Sequence, residues 1–160
     1  MKNQDQKKYE LLQNDTIQQN GKTLYRIKAL ISFGDIKAGK LGGYIEKEEN
    51  LSHEGNAWVS DNAKVFGKAK VYDNAIVYDD AEVYGNAKVF DNARVYGNAR
   101  VFGNAKVFDN ARVYGNARVF GNARVYDAML KCLTMLECMA MLECLAMLEC
   151  MTMLKCMAML

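Results

Sequence analysis

From Asn56 to Asp127, small and β-branched apolar residues alternate with polar and aromatic ones, and the pattern recurs every six residues without an insertion. The units run NAWVSD, NAKVFG, KAKVYD, NAIVYD, DAEVYG, NAKVFD and on to NARVYD, twelve in succession. Within each, Ala and Val stand two apart, separated by a variable, mostly basic residue, and in every unit but the first an aromatic follows the Val. Period-two alternation in an extended strand sends Ala and Val to one side and the basic and aromatic residues to the other. The Gly-Asn or Asp-Asn step between units is turn chemistry, because Gly, Asn and Asp accept positive φ at small cost. Each unit is therefore a short strand and a corner. A helix is excluded, because a period of six rotates successive valines around a helical axis and gathers them on no face.

A strand this short cannot bury its apolar side alone. The units must wind into coils that stack about 4.8 Å apart over one continuous core. Small inward residues suit a narrow prism with three strands per turn. In this the chain resembles the hexapeptide-repeat left-handed β-helix of the acyltransferase superfamily, which places an aliphatic residue and a small residue two before it inside. The resemblance covers residues 56–127 and implies an all-β solenoid, left-handed, with eighteen residues per coil and four coils.

Residues eighteen apart then become vertical neighbours. A first face stacks Lys70, Lys88, Lys106 and Arg124, beside Tyr72, Phe90, Phe108 and Tyr126, with Asp73, Asp91, Asp109 and Asp127 at its corner. A second stacks Lys64, Glu82, Arg100 and Arg118, beside Phe66, Tyr84, Phe102 and Phe120, with glycines at the corner. The third carries Trp58, Ile76, Arg94 and Arg112. Only the first is uniformly basic, so its eight basic and aromatic residues are the candidate binding face for an acidic polymer or single-stranded nucleic acid. Against that stands a structural reading. Aromatic ladders stabilise adjacent strands, basic stems cover the rings, and the aspartate column supplies counter-charge. Residues 56–127 hold ten Lys/Arg against eight Asp/Glu, a net of +2 that argues against a dedicated nucleic-acid surface.

In the lead-in, a short β-prone stretch between Tyr9 and Leu12, a turn at Asn20-Gly21 and TLYRIKALISF predict a hairpin covering the start of the solenoid. Leu41, Ile45, Leu51 and Val59 read as inward positions of irregular first coils, a cap over open sheet edges. The runs LYRIKAL, GGYIEKEENLS and GNAWVSDNA resemble a family of uncharacterised bacterial and phage-associated hexapeptide-solenoid proteins, some labelled polymer-forming. That resemblance covers residues 9–127 and implies no assigned reaction.

Composition divides the chain into a cap (1–55), the repeat (56–127) and a tail (128–160) that holds nine of the ten methionines and all five cysteines. The tail reads MLKCLT-MLECMA-MLECLA-MLECMT, again with period six. The genetic code relates the two texts. NARVYG written AAT GCT AGA GTG TAT GGC and read one base later begins ATG CTA GAG TGT ATG, or Met-Leu-Glu-Cys-Met. The same shift decodes the whole of 128–160 into solenoid units, so the tail reads as a longer solenoid in another frame. Cys132, Cys138, Cys144, Cys150 and Cys156 are then shifted valine codons without metal-ligand spacing. Met, Leu, Ala, Glu and Lys are strong helix formers, and the expected tail is one helix of about 30 residues, about 45–50 Å long. Residual solenoid-like winding is the alternative. Such a helix, apolar nearly all round, could pack on the solenoid, self-associate or meet a membrane, and the sequence does not choose among them.

Solenoid enzymes of the resembled superfamily work through histidines. This chain has one, His53, in the lead-in, and no loop interrupts the repeat. The reading is a non-enzymatic structural or assembly protein that self-associates as a homo-oligomer, with no cofactor and no metal. The alternative is a binding module that engages a host protein or an acidic polymer through the first face. The start, MKNQDQKKYELLQND, has no apolar segment of signal-peptide type, so a reducing cytoplasm with free thiols is expected.

Overall fold

In the computed structural model, residues 6–126 are described together with the backbone of strands 129–139, 148–150 and 154–157. Strand β1 (Tyr9–Gln19) and strand β2 (Lys22–Ala29) form the expected antiparallel hairpin. Its turn places Asn20 at φ 50° and Gly21 at φ 73°, the two left-handed residues that a tight hairpin requires. Strand β3 (Leu41–Ile45) pairs antiparallel with β2 on one edge and parallel with Lys64–Val65 on the other. The hairpin thus continues the sheet of the second face.

From Trp58 onward strands of two or three residues begin every six residues, except that the units at Arg112 and Arg118 merge into one strand, Arg112–Phe120, and each unit pairs in parallel with the one eighteen residues away. Backbone bonds run from coil to coil, such as Phe66 N–H to Val83 O at 3.0 Å and Tyr72 N–H to Val89 O at 3.1 Å. All twelve repeat alanines and all twelve repeat valines, from Ala57 to Val125, are fully buried. The alternation therefore sorts the residues as their chemistry demands. The corners sort them as well: Asp73, Asp91 and Asp109 stand at φ 55–58° and Gly67, Gly85 and Gly103 at 66–70°.

Three expectations are corrected. Leu41 does not point inward: it is 50% exposed, because Gly43, beside Ala63, takes the small inward position, where a Cβ would stand 2.6 Å from Ala63 O. Trp58, assigned to the surface of the third face, is buried, because Phe33 and Tyr9 pack edge-on against it at 5.4 and 6.4 Å. The tail is not the single helix expected over 128–160, since its described parts are strands and no α-helix occurs among the described residues.

The tail strand Met129–Met139 pairs in parallel with Arg112–Phe120, and Leu148–Cys150 and Leu154–Met157 pair with that tail strand. The last body coil presents a ready row of backbone donors and acceptors. Pairing with that row outweighs helix propensities of a few tenths of a kcal/mol per residue. The join is irregular. Val113 pairs with Leu130, a step of seventeen residues, and Val119 with Cys138, a step of nineteen, before Leu130–Leu148 restores eighteen. The rest of the tail lies outside the described residues.

Candidate binding face

The first face is built by strands Lys70–Val71, Lys88–Val89, Lys106–Phe108 and Arg124–Tyr126, which form a four-stranded parallel sheet in register. Register alone brings all eight candidate residues into two columns. Lys70, Lys88 and Arg124 are exposed, Lys106 is half-buried, and the four aromatics are half-buried. Their rings stack at 4.9, 5.1 and 5.1 Å from Tyr72 down to Tyr126. That spacing is the coil rise itself, so ring faces cover one another and no slot remains for an inserted base. Burial, followed by the Asp73 and Asp91 carboxylates, pushes the Tyr72 hydroxyl above its usual range.

The aspartate column does not neutralise these lysines in the way the spacing suggests. Asp91 N–H donates to Asp73 Oδ2 at 3.4 Å and Asp109 N–H to Asp91 Oδ2 at 3.3 Å, so the carboxylates serve the corner of the next coil. Among the described residues no ion pair falls on Lys70 or Lys88. The contrast is the second face, where Glu82 lies 3.8 Å from Lys64 and 3.7 Å from Arg100. At the head of the first face a hollow of about 400 Å³ is lined by Glu49, Ser52, Lys70, Tyr72 and Lys88. Asn50 closes the coil above it. Its Oδ1 accepts from Lys47 N–H, and its Nδ2 donates to Gly67 O and Ala69 O at 3.2 and 2.9 Å.

A strand-to-strand ladder of outward lysines is legible in the sequence; the chemistry of the cap is not. Lys8 is buried, and among the described residues no carboxylate pairs with it. Its amine donates to Ala57 O at 2.8 Å, reaches Glu54 O and Gly55 O at 3.4 Å, and lies 4.7 Å from the Phe33 ring centre. Burial pulls its pKa down to about 8. Tyr9 donates to Leu51 O at 2.6 Å, and burial pushes its hydroxyl up. His53 stacks on Tyr9 at 4.3 Å and its Nδ1 accepts from Lys8 N–H at 3.2 Å. Burial lowers its pKa, opposed by Glu48. The lone histidine is thus a packing element of the cap. No local motif around Lys8 announces this, because its partners lie some fifty residues downstream.

A family described as YdcK beta solenoid repeat matches residues 93–107 and 105–127, which lie in the lower two coils. The chain is a β-solenoid repeat protein. No curated protein matches it significantly. Among the described residues, no three His, Cys, Asp or Glu side chains are grouped to hold a metal, and no helix is long and apolar enough to cross a membrane.

Proposed function

We propose that this β-solenoid is a non-enzymatic structural element whose coils form a rod that assembles with further copies of itself. The finer fold reading goes with it: left-handed winding of hexapeptide repeats, of the kind found in bacterial and phage-associated solenoids, in the cytoplasm. The observation that carries the proposal is the filled, uninterrupted prism, in which every repeat Ala and Val is buried and the described hollows open only at the surface. Outward side chains are spent on vertical order. Asn56 Nδ2 donates to Asn74 Oδ1 at 3.1 Å, Asn86 to Asn104 at 3.0 Å, and three aromatic columns stack at 4.7–5.1 Å. Such a surface is rigid and regular, which suits assembly. Size-exclusion chromatography with light scattering, on the full chain and on a chain ending at Asp127, tests it. A defined oligomer in both supports an interface on the solenoid, an oligomer in the full chain alone moves the interface to the tail, and monomers throughout refute assembly.

A second reading is favoured by the amines of Lys70 and Lys88, on which no ion pair falls among the described residues: the first face holds a linear acidic polymer or an acidic host protein. Reversing Lys70, Lys88, Lys106 and Arg124 to glutamate together abolishes capture under this reading, and retained capture removes it.

A further inference from the structure

The third face segregates charge along the rod. Its two upper coils carry Asp61 and Asp79 at the corner and Asp80 just beyond it, all exposed. In the two lower coils those columns become Gly97, Gly115 and Asn98, while the strand positions become the exposed arginines Arg94 and Arg112 in place of Trp58 and Ile76. The same gradient runs through the whole repeat. Residues 56–91 hold six carboxylates and four cations, a net of −2, and residues 92–127 six cations and two carboxylates, a net of +4. Internal contacts do not require this. Asp61 and Asp79 accept from the backbone N–H groups of Asp79 and Gly97, and the glycines fill the same left-handed corner without a carboxylate.

We infer that two copies of this chain pair side by side and antiparallel through their third faces, the acidic upper coils of each against the basic lower coils of the other. The pairing rests on the assembly reading and specifies its interface. Parallel stacking would put Asp61 and Asp79 level with the same residues of the partner, whereas a two-fold axis across the face between the second and third coils is self-complementary. It sets the level of Asp79 and Asp80 opposite that of Arg94, and the level of Asp61 opposite that of Arg112. At the head of this face the segment carrying Phe33 folds over Trp58, beside a hollow lined by Ile76, Asn92 and Arg94; below it strand and tyrosine columns repeat in register, and complementary potentials fix orientation in such contacts.

The test is charge exchange in the full chain, read as molar mass by light scattering. One variant carries Arg94→Glu and Arg112→Glu. The other carries Asp61→Asn, Asp79→Asn and Asp80→Lys, with Asn chosen at the two left-handed positions because it tolerates them. The expected result is a dimer for the parent that dissociates as salt is raised, monomers for each variant alone, and a one-to-one heterodimer when they are mixed. Circular dichroism identical to the parent shows that both variants remain folded. A parent oligomer unaffected by salt and by both variants overturns the charge-paired interface and leaves assembly standing. A parent that is monomeric at every salt concentration overturns both.

Discussion

Substitution of Asp91 separates what the corner asks of its backbone from what it asks of its charge. Asp91 stands at φ 56°, its N–H donates to Asp73 Oδ2, and its own Oδ2 accepts from Asp109 N–H at 3.3 Å. Asp91→Ala removes the acceptor, about 1 kcal/mol for a part-buried bond, and places a residue with no polar compensation in the left-handed region, about 1 kcal/mol more. The sum is about 2 kcal/mol. Asp91→Gly loses the same bond but no steric term, as at Gly85 and Gly103 on the second corner, and costs about 1 kcal/mol. Asp91→Asn keeps the acceptor and the conformational tolerance while relieving repulsion from the carboxylates above and below, so it stays within about 0.5 kcal/mol of the parent. Urea unfolding followed by circular dichroism reads the order, with the midpoints falling from Asn through Gly to Ala at constant slope. If Ala is no more destabilising than Gly, the left-handed corner is not what selects aspartate. If Asn falls with Ala, the carboxylate charge matters more than its geometry.

Val101 is fully buried in the middle of the core, and Val101→Ala is expected to cost about 2–3 kcal/mol through lost burial and a residual cavity, measured by the same unfolding. The Lys8 amine has its pKa lowered in the fold to about 8, so between about pH 8 and 10 the unfolded chain binds more protons and stability rises with pH, by up to about 3 kcal/mol; Lys8→Met should flatten that rise in thermal melts, and an unchanged slope would show that Lys8 is not its source. Glu46 and Glu48 have pKa values lowered in the fold, Glu46 because Lys22 and Gly67 N–H together outweigh its burial and Glu48 chiefly through Lys7. Their stabilisation is present above the ordinary carboxylate range and lost as pH falls through the folded values. Fluorescence of Trp58, the single tryptophan, which lies under the cap, should report loosening there in acid, and Glu46→Gln should remove part of the effect.

The solenoid body was legible because one physical requirement repeats at every unit. Ala63, Val65 and their equivalents answer to the same neighbours eighteen residues away, so a period read along the chain is also a map of contacts. The cap offers no such redundancy. Trp58 occupies an outward position and becomes core only because the segment carrying Phe33 folds over it, and Leu41, which alternation places on the same side as Gly43 and Ile45, is half-exposed where they are buried. The lysine ladder of the first face followed from register, whereas the use of Asp73 and Asp91 to bond the next coil depended on corner geometry that composition does not display. In the tail, propensity favoured a helix for Met129–Met139, but propensity counts only the segment itself. The unpaired edge at Arg112–Phe120 supplied hydrogen bonds that an isolated segment would lack.

The coil-to-coil register also fixes how the protein answers to force. Inter-strand bonds such as Phe66 N–H to Val83 O run along the rod axis, so tension applied to the chain ends loads them one coil at a time, as a zipper, instead of shearing them together. Each rupture frees eighteen residues, about 60 Å of extended chain at the reach of one backbone unit. Single-molecule extension of the repeat should therefore lengthen in equal steps of that size, turning the periodicity of the sequence into a periodicity of force.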